Sequence, residues 1–110
     1  MKRMFLLGLL LASPAFAHAR LLSSEPSANA KLKSPGQIKM HFSERLEPAF
    51  SSANLIDASG KTVPVSKSVG GDMITLLPLT LKPGVYKVTW QSVGQDTHRL
   101  GGSFGFTVIP

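Results

Sequence analysis

The sequence predicts an all-β domain, an antiparallel sandwich of immunoglobulin type built from about seven short strands. Three observations predict it. Turn signals recur at short intervals from residue 18 onward, the clearest segments alternate apolar and polar residues with a period of two, and no stretch beyond residue 17 carries a helical period. A small barrel is the alternative closure of the same strands.

Residues 20–24 read as the first strand, ended by Glu25-Pro26, and the stretch through Ser27 and Lys31 to Ser34-Pro35-Gly36 reads as loop. Ile38, Met40 and Phe42 alternate with Lys39, His41 and Ser43, so residues 38–42 form a second strand with one apolar face. After Glu47-Pro48, residues 52–57 supply a third strand, and Asp57-Ala58-Ser59-Gly60 turns it into a fourth at 61–65. Gly70-Gly71-Asp72 punctuates the connection to residues 73–77. Lys82-Pro83-Gly84 leads into residues 85–93, where Tyr86, Val88 and Trp90 share the inward face, with Trp90 and Phe104 expected as core aromatics. Phe104, Phe106 and Val108 mark the last strand. The loops of a sandwich gather at its two ends, and function is usually placed there.

Residues 1–17 do not belong to this pattern. Lys2 and Arg3 precede the apolar run of residues 4–12, then Pro14 and the small residues Ala15 and Ala17, which is the three-part form of a secretory leader. The run is far shorter than the ~20 residues that span a bilayer. Cleavage is expected between Ala17 and His18, leaving residues 18–110 without a transmembrane segment; a retained anchor is the competing reading. Loss of Lys2 and Arg3 would lower the formal charge from +6 to +4.

Composition removes several classes of function. With no cysteine, the chain has no disulfide framework, zinc ribbon, redox dithiol, iron–sulfur cluster or lipoprotein anchor. Its lysines and arginines are scattered rather than run together, which gives no footprint for nucleic acid. The H-E-x-x-H motif and a phosphate-cradling glycine loop are missing, and no carboxylate pair has an acid/base context.

What remains is a set of metal donors. Processing would make His18 the first residue, whose free amine and Nδ1 can close a chelate ring on one ion. Asp96-Thr97-His98 lies in a Gly-rich loop, between Gly94 and Gly101-Gly102, and in extended backbone residues two apart point to one side. His18, Asp96 and His98 together offer three nitrogens and a carboxylate oxygen, a set suited to tetragonal Cu(II) and usable by zinc.

Residues 18–110 resemble the CopC family of periplasmic copper-binding proteins, which are small cupredoxin-like or immunoglobulin-like β-barrels. The resemblance rests on His18-Ala19-Arg20-Leu21, Ser24-Glu25-Pro26, Phe42-Ser43-Glu44, Lys82-Pro83-Gly84-Val85-Tyr86, Val88-Thr89-Trp90, and Asp96-Thr97-His98 followed by residues 102–108. It implies a periplasmic, non-catalytic carrier or buffer in copper resistance or homeostasis, with one Cu(II) ion per mature chain. It also implies His18, Asp96 and His98 as ligands, with Glu44 ligating or accepting a hydrogen bond nearby, and an inner-membrane copper transporter of CopD type as partner.

Some family members carry a second, methionine-rich Cu(I) site. Here only Met40 and Met73 lie beyond the leader, and Met40 is on an inward face, so the sequence resembles members with the Cu(II) site alone. His41 points away from the core, as a surface residue, an auxiliary ligand or part of a docking surface. Two other functions compete: an oxidative copper enzyme using an N-terminal histidine brace, and an adhesive module without metal.

Overall fold

The computed structural model describes residues 18–110, and the expected leader, residues 1–17, lies outside the described residues. All regular elements among the described residues are strands. In order they are β1 (Leu21–Glu25), β2 (Lys31–Leu32), β3 (Ile38–Phe42), β4 (Ser52–Ile56), β5 (Thr62–Val63), β6 (Val65–Gly70), β7 (Met73–Pro78), β8 (Gly84–Val93) and β9 (Arg99–Val108). They form two sheets, β1-β3-β7-β6 and β2-β9-β8-β4-β5, packed as a sandwich. No helix of the described residues is long and apolar enough to cross a membrane.

The nine strands contain the expected ones and two more. β2 lies in a stretch read as loop; its two residues run parallel to β9, with Lys31 opposite Thr107 and Leu32 opposite Val108. β6 extends to Gly70, where sequence reading ended a strand at Val65, and it pairs with β7 from Val65↔Pro78 to Gly70↔Met73. The turn expected at residues 70–72 is thus the tight connection of a β6–β7 hairpin. β9 begins at Arg99, so Gly101 and Gly102 are strand residues rather than loop.

The alternation read from the sequence is the packing. Ile38, Met40 and Phe42 from β3, Ile74 and Leu76 from β7, Leu55 from β4 and Val88 from β8 are at most 1% exposed. Each such side chain contributes roughly 1.5–3 kcal/mol when removed from water. Tyr86, Phe104 and Phe106 are also buried, and Trp90 is partly buried against the same cluster. His41 is half-buried on the opposite face of β3, beside Ser23 of β1 and Met73 of β7.

Two devices fix the end of the sandwich that matters below. β8 and β9 pair without a break from Gly84↔Val108 to Val93↔Arg99, so their connection is held to residues 94–98. The end of β3 and the segment after it then tie both sheets together: the Phe42 and Leu46 amides donate to Asp72 and Gly71 of the β6–β7 turn at 2.8 and 2.9 Å, and the Glu47 amide donates to Val93 of β8 at 2.8 Å.

Gly102 lets the indole of Trp90 lie against β9, because a Cβ there would meet Trp90 Cζ2 at 2.6 Å. Trp90 in turn meets Phe42 edge-on, with ring centroids 5.3 Å apart. Gly102→Ala is therefore expected to destabilise the domain by ~1–3 kcal/mol, the usual range for overpacking. Thermal unfolding reads this, together with a shifted emission from Trp90, the sole tryptophan; an unchanged midpoint would contradict the packing.

At the β4–β5 turn, Asp57 Oδ1 accepts from the Ser59 hydroxyl, the Ser59 amide and the Lys61 amide at 2.7, 2.9 and 3.0 Å. The Ser59 hydroxyl above all, then the Lys61 amide, holds this carboxyl below its ordinary value of 3.8. A depressed folded value stabilises the turn fully above the unfolded value and loses that contribution as pH falls through the folded one. An NMR titration should find Asp57 protonating below a free carboxyl, with residues 57–61 loosening in the same low range.

Candidate metal centre

The end held by these ties carries three candidate donors on two separate mounts. His18 precedes β1, and Asp96 and His98 belong to the five-residue β8–β9 connection. Among the described residues, His18, Asp96 and His98 each bring one donor atom within 4.8 Å of the others.

The connection is a tight turn, not the extended backbone expected from sequence. Thr97 has φ of 65°, a left-handed conformation that β-branched residues rarely adopt, and its amide donates to Gly94 O at 3.0 Å. Asp96 and His98 converge all the same, because Asp96 bends the chain locally: its Oδ1 accepts the His98 amide at 3.1 Å. The two carboxylate oxygens thus have different tasks. Oδ1 shapes the turn, while Oδ2 is buried, accepts no hydrogen bond in the strict sense among the described residues, and lies 3.1 Å from His98 Nδ1.

His98 Nδ1 also lies 3.1 Å from His18 Nε2, and the two rings meet nearly at right angles, 82° between planes. A neutral imidazole has one N–H, so His98 Nδ1 can donate to Asp96 or to His18 but cannot satisfy both lone pairs well. A cation resolves that conflict. Two donors each ~2.0–2.1 Å from a shared ion stand ~2.9 Å apart at a right angle and ~3.3 Å apart at a tetrahedral one. The observed 3.1 Å separations fall within this interval. The site opens to solvent on the His98 side, whose side chain is 67% exposed against 19% for Asp96.

Glu44 is placed beside the group and not in it. Its Oε1 accepts the Gln95 amide at 3.2 Å, bracing the β8–β9 turn from the segment that follows β3. His18 presents Nε2 to His98, whereas a chelate with its own amine would use Nδ1. Such a chelate requires the ring to turn once residue 18 has a free amine.

Two further residues, which sequence reading did not single out, hold the segment that carries His18. The Ser43 amide donates to Arg20 O at 2.8 Å, its hydroxyl oxygen accepts the Arg20 amide at 2.8 Å, and the hydroxyl donates to His18 O at 3.0 Å. From the other sheet, Ser92 Oγ donates to Ala19 O at 2.6 Å. Ala19 itself is 1% exposed and Ser92 is fully buried. The one sequence signal for Ser92 is its phase: it follows Tyr86, Val88 and Trp90 on the inward face of β8, where a hydroxyl needs a buried partner.

Comparison with known proteins agrees with the fold. A model of the CopC domain matches residues 21–109. The chain is 36% identical over 115 residues to copper resistance protein C of Pseudomonas syringae pv. tomato, covering 96% of this chain and 91% of that one. Among solved structures, CopC from Methylosinus trichosporium OB3b superposes with a TM-score of 0.79 at 32% identity, covering 84% of this chain and 95% of its own. PcoC, a methionine-rich copper resistance protein from Escherichia coli, superposes with the same score of 0.79 at 34% identity, covering 84% of this chain and all of its own. A two-sheet sandwich with this strand order, a family match over nearly every described residue and relatives of this extent establish that the chain belongs to the CopC family.

Proposed function

We propose that residues 18–110 form a periplasmic carrier or buffer that holds one Cu(II) ion between His18, Asp96 and His98, in copper resistance or homeostasis. The observation that carries this reading is the cluster of three donor atoms within 4.8 Å, beside a buried carboxylate oxygen, Asp96 Oδ2, that has no hydrogen-bond donor among the described residues. Removal of residues 1–17 as a leader completes the site, because the new amine of His18 adds a third nitrogen to two imidazoles and the carboxylate. That donor set suits Cu(II).

A Cu(I) role has little to draw on. The chain has no thiol, Met40 is 0% exposed in the core, and Met73 is the other thioether beyond the leader. The reading is therefore of a carrier with the Cu(II) site alone, unlike the methionine-rich PcoC. A non-catalytic role follows from the same donors. Oxidative chemistry at a histidine brace needs open equatorial positions, and Asp96 would fill one of them. An inner-membrane transporter of CopD type is the natural recipient, on family resemblance. Glu44 serves the site by bracing the turn through Gln95 rather than by ligating.

The test is a competition titration, against a chelator, of protein beginning at His18. One Cu(II) per chain should bind tightly, and one extra residue before His18, which turns the amine into an amide, should weaken binding by more than the ~10–100-fold typical of losing an outer-sphere partner. His98→Ala should be comparably damaging, Asp96→Ala less so because water can replace the carboxylate, and Glu44→Ala least. An extended protein that binds Cu(II) as tightly as the mature one would refute the site.

Reduction supplies a separate check. Cu(I) prefers sulfur donors, so ascorbate should weaken binding, and the loaded protein should not consume ascorbate and oxygen catalytically. A tight Cu(I) complex would reveal a soft site elsewhere, and sustained turnover would favour the enzyme.

A further inference from the structure

We propose that Ser43 and Ser92 are positioning residues for the metal, setting the place of the His18 backbone before any ion arrives. This rests on the proposed role of His18 as a ligand. The first residues of a domain are poorly ordered unless tied down. Here the three residues ahead of β1 are tied at every step: His18 O to Ser43 Oγ, Ala19 O to Ser92 Oγ, and Arg20 through both its amide and its carbonyl to Ser43.

The two serines come from different sheets. Ser92 is on β8, whereas Ser43 directly follows β3, so residues 18–20 form a strap held from both sides at the rim. Among the described residues, the hydroxyl bonds of both serines all go to this strap. β1 does not depend on them for its ladder, which starts at Leu21↔Phe42. The hydroxyls therefore contribute chiefly to where residue 18 lies.

Loss of Ser92 Oγ leaves the Ala19 carbonyl facing a buried site without a donor, and water is its nearest remedy. Turning that carbonyl outward lifts the strap and carries His18 away from His98. The ion then has to order residues 18–20 on binding, a cost that lowers affinity and shortens residence. The ligands themselves are unchanged, so the coordination sphere at saturation should be the same.

The experiment uses the mature protein and the variants Ser43→Ala, Ser43→Thr and Ser92→Ala, each measured for Cu(II) affinity, Cu(II) electron paramagnetic resonance at saturation, thermal midpoint, and metal-free hydrogen exchange at the Arg20 amide. Ser43→Ala and Ser92→Ala should each bind Cu(II) roughly 10-fold more weakly, at the lower end of outer-sphere effects, with an unaltered spectrum and faster Arg20 exchange. Ser43→Thr keeps the hydroxyl and should restore both affinity and protection. A merely structural serine would lower the midpoint and leave the dissociation constant of the folded protein where it was; that result overturns the proposal. Equal weakening by Ser43→Thr and Ser43→Ala overturns it too, since the hydroxyl would not be the cause. Should Ser92→Ala fail to fold, the Ser43 pair decides. Mature protein that binds no Cu(II) at all refutes the carrier reading, and this inference with it, before any variant is compared.

Discussion

The end of this molecule that carries the candidate donors depends on the burial of one small residue between the two sheets. Ala19 is 1% exposed, and its carbonyl is held by a serine that is itself fully buried. With Ala19 fixed, its neighbours have no freedom left: His18 must emerge at the rim and Leu21 must enter β1 opposite Phe42. A slip of one residue would exchange the faces of every side chain in β1. It would also carry a neighbouring residue into the place of His18. Strand register and the position of the His18 donor are therefore one constraint.

The second mount obeys a separate rule. Ten consecutive pairs between β8 and β9 confine the connection to five residues, and within it the chain takes a left-handed position at Thr97, φ 65°. A β-branched residue is a poor occupant of that region. Strain of this kind gathers where the surroundings over-determine the backbone. Here they do: Asp96 Oδ1 takes the His98 amide, the Thr97 amide reaches Gly94, and Glu44 takes the Gln95 amide. The turn is thereby held in a shape that leaves Asp96 Oδ2 3.1 Å from Nδ1 of the His98 imidazole.

How far all this can be read from sequence depends on which forces act locally. The β3, β8 and β9 alternations are legible because burial on one face imposes a period of two on neighbouring residues, and Ile38, Met40 and Phe42 follow it closely. β6 is an edge strand in which Ser66, Lys67 and Ser68 are all exposed, so no period marks it. β2 is a strand only because β9, some seventy residues further on, lies beside it. The pair Asp96 and His98 was legible as a convergence but for the wrong backbone, since extended geometry was expected where a turn occurs. Gly101 and Gly102 look like loop residues and are strand residues, with Gly102 left bare by the indole of Trp90. That His18 meets Asp96 and His98 needs the tertiary fold; in the sequence the three are joined by their donor chemistry and by resemblance, not by any local pattern.

On the proposed reading, this division of the donors explains how a carrier can hold an ion firmly and still give it up. His18 is mounted on a strap between the sheets, and Asp96 and His98 on a hairpin of one sheet, so an ion shared among them bridges two elements that pack together without it. Binding therefore draws on a geometry already set, which favours affinity. Release does not require the domain to open, because His98 stands at the solvent edge with 67% of its side chain exposed. A recipient's ligand can approach from that side and replace one donor at a time, each exchange being a smaller step than loss of the whole chelate. A fully enclosed site would have to unfold part of the sandwich to do the same. Rim placement and rigid mounting are in this sense complementary: the first sets how the ion leaves, the second how well it is held until then.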